Sequence, residues 1–364
     1  MTPRIALDRT LLLRGMPETW DGFVRGCEDV VVDQHRPHEP GYAGLATFEK
    51  LPFVLDPGAL AGVDVAIVGA PMDDMASNRP GTRFGPRAIR LAFEGGGEPA
   101  RWHLDLGVDP FAVLQIVDHG DAAVVPGDAH ASHRAIRTVV EQIRAAGAIP
   151  IILGGDHSIA YPDIKAVAGS LPHGSVAVVQ FDAHADTATD LTGVKWSHGS
   201  PFRHLVDDGV LPGNRLIQVG LRGYWPFPEE FDWARSQGVR WHRMEEIEER
   251  GIGATIDHVL TEIEDADHLF LSVDVDALDP AYAPGTGTPE SGGMTTRELL
   301  RAVRRLALAR DLCGMEVVEV SPPYDHGEIT AFAAHSVVLE ALSAVALRRS
   351  GQGPAPEDPE PPEG

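Results

Sequence analysis

Short apolar runs alternate with amphipathic segments along most of the chain. Runs rich in Val and Ile are typical of strands that are buried on both faces of a sheet. They predict strands at residues 64–68, 113–117, 149–153, 175–181, 215–219, 239–242, 269–273 and 312–320. Helical periodicity predicts helices at residues 87–93, 131–146, 161–168, 229–237, 252–264, 296–309 and 329–347. This alternation predicts an α/β fold with a mainly parallel sheet between two layers of helices.

The two ends of the chain lack this alternation. Residues 1–60 show weak helical periodicity interrupted by prolines, and we expect an N-terminal arm that packs on the domain or on a neighbouring subunit. Ordinary wrapping of the N-terminus explains the same pattern equally well. Residues 61–350 form the predicted main domain. Residues 351–364 are rich in Pro and Glu and cannot bury an apolar surface, so we expect a disordered acidic tail.

The composition excludes several classes of function. The 364 residues carry a formal net charge of −24, which argues against nucleic acid as a partner because phosphate binding requires a basic surface. The same charge is compatible with a small cationic substrate. The N-terminus lacks the apolar core of a signal peptide, and no long apolar run suggests a membrane span, so we expect a cytoplasmic protein. Cys27 and Cys313 are too few for a disulfide framework.

Side chains that suit a metal ion follow the predicted strand at residues 175–181. Asp182, His184 and Asp186 alternate with two alanines, so in extended geometry the three polar side chains lie on one face. Two carboxylates and an imidazole in this arrangement suit a divalent cation. For this segment alone, a solvated turn is the alternative interpretation.

Two more predicted strands end in residues of the same kind. His157 follows one of them, and Asp274 and Asp276 alternate at the end of another. Taken singly, these segments also suit a helix cap or buried acids bound to backbone donors. If the strands are near neighbours in a parallel sheet, all six groups meet at its C-terminal edge. Such a set fits two ions about 3.5 Å apart. Its many oxygens favour Mn²⁺ over Zn²⁺, and its two imidazoles leave Ni²⁺ or Co²⁺ open.

The three segments together resemble the signatures of the ureohydrolase (arginase/agmatinase) family. They read Gly-Gly-Asp-His-Ser at residues 154–158, Asp-Ala-His-Ala-Asp at 182–186 and Ser-Val-Asp-Val-Asp-Ala-Leu-Asp-Pro at 272–280. The resemblance runs from about residue 64 to residue 347. It implies a three-layer αβα sandwich of the arginase/deacetylase type and hydrolysis of a guanidino compound to urea and an amine. It also implies two Mn²⁺ ions per chain and a homo-oligomer, usually a trimer or hexamer.

The resemblance implies a role for each ligand. One ion would be held by His157, Asp182, Asp186 and Asp274. The other would be held by Asp182, His184, Asp274 and Asp276, so that Asp182 and Asp274 bridge the two ions. Asp186 would also help to protonate the leaving amine.

Three candidates lie outside the metal ligands. His198 matches a mobile-loop histidine of the family that contacts the substrate and resembles a proton shuttle. Glu298 matches a glutamate that holds the substrate guanidinium, and a surface glutamate in the first turn of a helix is the alternative. Arg222 is the nearest cation for a substrate that ends in a carboxylate, with a structural ion pair as the alternative.

The segments outside these motifs disfavour L-arginine as the substrate. Gly-Leu-Arg at residues 220–222 is followed by Gly223, where an arginase places an acid. This difference favours an agmatinase-like enzyme, with guanidinobutyrate, guanidinopropionate and guanidine as alternative substrates. Tyr224 and Trp225 either wall the pocket or pack elsewhere. A one-zinc deacetylase of the same fold and a non-catalytic ureohydrolase-like subunit are the rival classes, and the complete ligand set argues against both.

Overall fold

The computed structural model describes residues 43–92 and 101–351. Most of the expected N-terminal arm, residues 1–42, and the expected tail after residue 351 lie outside the described residues. The last part of the arm, from Phe48 to Leu60, is described, and the side chains of these two residues are fully buried. This part of the chain therefore packs on its own domain.

The core of the structure is one parallel sheet of eight strands. The strands are β1 Val65–Ala70, β2 Ile116–Asp121, β3 Ile149–Gly154, β4 Val176–Phe181, β5 Leu216–Leu221, β6 Arg240–Arg243, β7 His268–Asp274 and β8 Asp311–Val318. Their order across the sheet is β2-β1-β3-β8-β7-β4-β5-β6, and every neighbouring pair is parallel. The predicted α/β fold is confirmed.

Ten helices connect these strands within the described residues. They are α1 Gly85–Leu91, α2 Pro110–Val113, α3 Ala129–Ala145, α4 Ala160–Gly169, α5 Pro201–Asp207, α6 Pro228–Gln237, α7 Met244–Arg250, α8 Ile252–Glu262, α9 Thr296–Ala309 and α10 Ile329–Ser350. The sequence did not predict α2, α5 or α7, which are short and show little helical periodicity. The predicted strand at residues 113–117 begins too early, because Asp109 caps the short helix α2 ahead of β2.

Side chains alternate between the two faces of the sheet and build an apolar layer on each. Val179, Leu271 and Met315 face the layer formed with α1, α8, α9 and α10. Ile152, Val178 and Phe270 face the layer formed with α3, α4, α5 and α6. With both faces covered, the exposed chemistry is confined to the ends of the strands.

The last helix is both long and apolar. The stretch His326–Ser350 is long and apolar enough to cross a membrane, with a mean hydropathy of 1.6. However, 78% of its most apolar window is buried inside the protein. This helix packs against α9 and the sheet, as the core helix of a globular domain does.

A buried ion pair joins α1 to β2 and to the described part of the N-terminal arm. The Arg90 guanidinium donates to both carboxylate oxygens of Asp118, at 2.8 and 3.0 Å, and to Asp121 at 2.6 Å. The backbone N–H of Phe48 donates to the same Asp118 carboxylate at 2.9 Å. Arg90 and Asp118 are almost fully buried, so each of the two charges depends on the other.

Replacing this arginine tests the importance of the pair. We expect Arg90→Ala to lower the free energy of unfolding by about 3–5 kcal/mol, because it leaves the Asp118 carboxylate buried without a countercharge. The matched control is Arg137→Ala, which removes an exposed pair with Glu141 on α3 and should cost about 0.3–0.5 kcal/mol. Urea unfolding followed by circular dichroism measures both. Equal losses in the two variants would contradict the structural role of Arg90.

Candidate metal centre

Three strands bring the predicted ligands to one edge of the sheet. β3, β7 and β4 end at the same edge, and β8 lies between β3 and β7. His157 begins a short 3₁₀ turn after β3, Asp182 directly follows β4, and Asp274 is the last residue of β7. The parallel arrangement therefore gathers residues that are more than a hundred positions apart in the chain.

One group of ligand atoms surrounds the His157 ring. Its Nδ1 atom lies 3.0 Å from Asp182 Oδ2, 2.9 Å from Asp186 Oδ2 and 3.3 Å from Asp274 Oδ2. This nitrogen is buried and has no hydrogen-bond partner with acceptable geometry. A nitrogen that faces three carboxylate oxygens at these distances suits coordination of a shared cation.

A second group shares one carboxylate with the first. His184 Nδ1 lies 3.0 Å from Asp276 Oδ2 and 3.6 Å from Asp182 Oδ1. Possible ligand atoms of His157, Asp182 and Asp274 lie within 4.8 Å of one another, and so do those of Asp182, His184 and Asp276. Asp182 thus stands between two adjacent positions for an ion.

The negative charges of the buried carboxylates in this cluster need positive charge to balance them. Burial and then the neighbouring charges of Asp276 and Asp182 raise the pKa of Asp274 well above its usual value. Burial opposes the charged form of His157, but the carboxylates of Asp182, Asp186 and Asp274 raise its pKa well above the usual value. Without a metal ion, protons on the imidazoles have to balance these carboxylates. Divalent cations would replace the protons, so the residues present fit a metal centre.

Two residues at this edge adopt a left-handed backbone conformation. The φ angles are 51° for Asp186 and 65° for Glu319. This region is unfavourable for side chains larger than glycine, and such residues concentrate at functional sites. Both carboxylates contact His157: Asp186 Oδ2 lies 2.9 Å from its Nδ1, and Glu319 Oε1 accepts its backbone N–H.

The structure places His198 beside the ligands. Its Nδ1 lies 2.9 Å from Glu319 Oε1, and its Nε2 lies 2.7 Å from the Ser77 hydroxyl. Burial opposes the charged imidazolium, but the Glu319 carboxylate raises the pKa of His198 to about 9. The ring lines the same cavity as His184 and Asp186, so it is positioned to exchange a proton with a bound molecule.

Sequence reasoning missed Glu319. It follows β8, the strand between the His157 and Asp274 strands, and its side chain is buried. Its Oε1 accepts the backbone N–H of His157 at 2.8 Å, whereas its Oε2 is buried without a donor. The signal was present, because the same strand-end rule that selected the six ligands also selects this carboxylate.

The structure does not bring Glu298 to this cluster. Its carboxylate accepts the backbone N–H and the hydroxyl of Thr295, both at 2.8 Å, and its own N–H donates to the Thr295 hydroxyl. This is a capping box at the start of α9. Glu298 is not among the residues that line the cavity beside the metal ligands. The contacts of the Glu298 carboxylate are those of a helix cap and give no support to its predicted contact with a guanidinium.

Arg222 is likewise a structural residue rather than part of the cavity wall. Its guanidinium donates to the backbone carbonyls of Asp276 at 2.6 Å, Leu278 at 3.1 Å and Glu290 at 2.7 Å. Burial lowers the pKa of Arg222 from its usual value. The predicted role of Arg222 with a substrate carboxylate has no support in these contacts. The predicted ion-pair alternative is replaced by a clamp on backbone carbonyls.

A cavity of about 510 Å³ opens onto the ligands. Its lining residues are Asp74, Met75, Ala76, Ser77, His184, Asp186, Leu191, Thr192, Val194, Ser197, His198, Gly199, Trp225, Asp274 and Thr288. Of the two alternatives left open for these aromatic residues, Trp225 walls the cavity, while Tyr224 is 98% exposed and does not line it. Among the described lining residues the charged side chains other than histidine are all acids.

The chain matches known proteins over most of its length. Residues 63–344 match the model of the arginase family. The chain is 38% identical over 314 residues to proclavaminate amidinohydrolase from Streptomyces clavuligerus, covering 85% of this chain and 96% of that protein. It is 39% identical over 308 residues to guanidinopropionase from Pseudomonas aeruginosa, covering 84% and 93%. It is 40% identical over 283 residues to the mitochondrial agmatinase of Gallus gallus, covering 77% and 81%.

The similarity extends to the fold. The solved structure of proclavaminate amidinohydrolase superimposes with a TM-score of 0.78 at 37% identity, over 85% of this chain and 100% of that one. The predicted family is thereby confirmed, and the chain carries two adjacent groups of candidate metal ligands. By its sequence, its fold and its ligand geometry, the chain belongs to the arginase family.

Proposed function

We propose that the protein hydrolyses agmatine to putrescine and urea and that it holds two Mn²⁺ ions. The observation that carries the choice of agmatine is the charge of the cavity wall. Asp74 lines the cavity, where its carboxylate also pairs with Arg83 at 3.2 Å, and no Lys or Arg is among the described lining residues. A substrate tail that ends in an ammonium group suits such a wall better than one that ends in a carboxylate.

The proposed reaction joins water to the guanidinium carbon and releases the amine. When bound, two divalent cations would lower the pKa of water and stabilise the negative charge that develops during attack. Glu319 is not itself among the lining residues, but its Oε1 holds the lining residue His198 and its Oε2 has no donor, so a guanidinium N–H that enters beside His198 can donate to Oε2. This contact would hold the substrate carbon at the edge of the sheet where the ligands meet.

Two residues of the chain can handle the protons. Asp186 lines the cavity beside His184, so its carboxyl can accept a proton from the attacking water and return it to the leaving amine. His198 Nε2, beside the Ser77 hydroxyl, can pass a proton to the leaving amine. The Glu319 carboxylate holds the other nitrogen of this ring and keeps the ring in place.

Hydrolysis of a guanidino acid is the second candidate. It is favoured by the similarity to guanidinopropionase and to proclavaminate amidinohydrolase. A carboxylate tail would require a cation, and the exposed Lys195 follows the lining residue Val194 in the same loop. The two candidates differ in the charge of the substrate tail and not in the reaction at the guanidinium.

The proposed metal content leads to the first test. We expect about two Mn²⁺ per chain after loading and dialysis, measured by elemental analysis. Asp182→Asn should lose most of this metal and its turnover, because Asp182 stands between both ion positions. Asp190→Asn, which changes an exposed acid in the following loop, should keep both. A single ion per chain in metal excess, or full activity in Asp182→Asn, would refute the dinuclear proposal.

A second test asks which of two glutamates, Glu319 or Glu298, acts on the substrate. Glu319→Gln should lower kcat/KM by about 100-fold or more, because it removes the charge that faces the guanidinium. Glu298→Gln should stay close to wild type in both activity and stability, because glutamine also completes a capping box. Urea release and thermal unfolding measure the two effects. The reverse order of the losses would restore Glu298 as the substrate residue.

The third test identifies the substrate. Urea release is measured for arginine, agmatine, guanidinobutyrate, guanidinopropionate, methylguanidine and guanidine, with Mn²⁺ and Ni²⁺ loaded separately. We expect the highest kcat/KM for agmatine. Asp74→Asn should lower the ratio of agmatine to methylguanidine by about two- to fivefold, as loss of one partly exposed charge does. A higher kcat/KM for guanidinobutyrate or guanidinopropionate would transfer the assignment to the guanidino acids.

A further inference from the structure

Two acids that are not metal candidates are buried beneath the metal centre. Asp163 lies on α4 and Glu316 lies on β8, and both are 0% exposed. Neither forms an ion pair with a Lys or Arg among the described residues. A buried carboxylate without a countercharge is costly, so this pair requires a physical explanation.

The two carboxyls face each other. None of their four oxygen atoms finds a donor when both groups are ionised. A hydrogen bond joins them when one of the two carries a proton. Burial and then the Glu316 charge raise the pKa of Asp163 well above its usual value, which agrees with a proton held between the two groups. The two carboxyl groups therefore form one buried unit, without a Lys or Arg partner among the described residues.

The pair is connected to a metal candidate through one serine. Ser272 and Glu316 are paired across the neighbouring strands β7 and β8, and the Ser272 hydroxyl lies 2.9 Å from His157 Nε2. The ring of His157 itself comes within 3.9 Å of Glu316. A hydroxyl that accepts a hydrogen bond from His157 Nε2 is free to donate its own proton to Glu316. The contacts form a continuous line from Asp163 through Glu316 and Ser272 to His157.

This line determines which nitrogen of His157 carries hydrogen. Donation from Nε2 to Ser272 leaves Nδ1 without a proton, and Nδ1 is the atom that faces the three aspartates. A metal ligand needs the unprotonated nitrogen on the side of the ion. Hydrogen-bond acceptors behind the ring favour donation from this far side, which increases the basicity of the ligating nitrogen.

We propose that Asp163 and Glu316 are positioning residues that hold His157 in its metal-binding tautomer through Ser272. The inference rests on the proposed metal-dependent function, because it assigns the acids a role in retaining the ion beside His157. They do not touch the substrate cavity, since neither is among its lining residues. Their loss should therefore act on metal affinity before it acts on substrate binding.

The experiment measures Mn²⁺ affinity in the absence of substrate, by competition with a fluorescent chelator. Glu316→Met and Glu316→Leu both remove the carboxylate that can accept the Ser272 hydroxyl proton. The two apolar side chains differ in shape, so one variant can be tested if the other does not fold. We expect either variant to bind the ion beside His157 about 10- to 100-fold less tightly. Glu316→Gln should stay within about threefold of wild type, because its amide accepts from Ser272 and donates to Asp163.

The matched control is Glu340→Gln, which alters another buried acid, in the pair with Arg304 between α9 and α10. It should lower the Tm of the metal-free protein but leave Mn²⁺ affinity unchanged. A second readout uses saturating Mn²⁺, where Glu316→Met should recover most of its kcat with little change in KM. A double-mutant cycle with Ser272→Ala should show that Glu316→Met adds little once the serine is gone.

The outcomes separate this inference from the proposed function. Unchanged Mn²⁺ affinity in Glu316→Met, with a Tm loss like that of Glu340→Gln, would overturn the positioning role alone. Equal loss of affinity in the Gln and Met variants would also overturn it, because the hydrogen bonds would then not matter. A wild-type protein that binds no Mn²⁺ would overturn both. Inactivity toward agmatine with the expected order of Mn²⁺ affinities would overturn only the choice of substrate.

Discussion

Mutual repulsion among buried carboxylates is the constraint on which the organisation of this protein depends. Asp182, Asp274, Asp276 and Glu319 are at most 2% exposed and lie at one edge of the sheet. Two unit charges 4 Å apart repel each other by about 4 kcal/mol at an effective dielectric constant of 20, and water cannot relieve charges that are this deeply buried. The edge is stable only if positive charge enters it, as protons on imidazoles and carboxyl groups or as metal ions.

The fold keeps these groups together by means of backbone hydrogen bonds and one clamp. The backbone N–H groups of His184, Ala183 and Asp276 donate to the carboxylates of Asp182, Asp276 and Asp274, respectively. Arg222 holds the carbonyls of the loop that carries Asp276. These contacts orient the oxygen atoms before any ion binds, so the ion does not have to organise the loop itself. Arg222 thus contributes to the site indirectly, through the backbone that carries a ligand.

The ligands were predictable because two simple rules coincide in them. Alternation along a strand end placed Asp182, His184 and Asp186 together, and the parallel sheet brought the other strands to the same edge. Glu298 was chosen in place of Glu319 although the capping-box spacing from Thr295 was visible in the sequence. The contacts of Arg222 were beyond prediction, because they join carbonyls from loops whose conformations have no periodic signal.

The difference between strand ends and connecting loops also explains why the reaction class is clearer than the substrate. The groups that act on the guanidinium follow strand ends, and the packed core of the sheet fixes the positions of those ends. The rest of the cavity wall comes from connecting segments, with Ser77, Leu191, Trp225 and Thr288 each on a different one. Connecting segments accept substitutions without loss of the core, so the contacts with the substrate tail can change while the metal edge stays constant. The chain resembles an agmatinase and a guanidinopropionase almost equally, at 40% and 39% identity, as expected if a few loop residues select the charge of the tail.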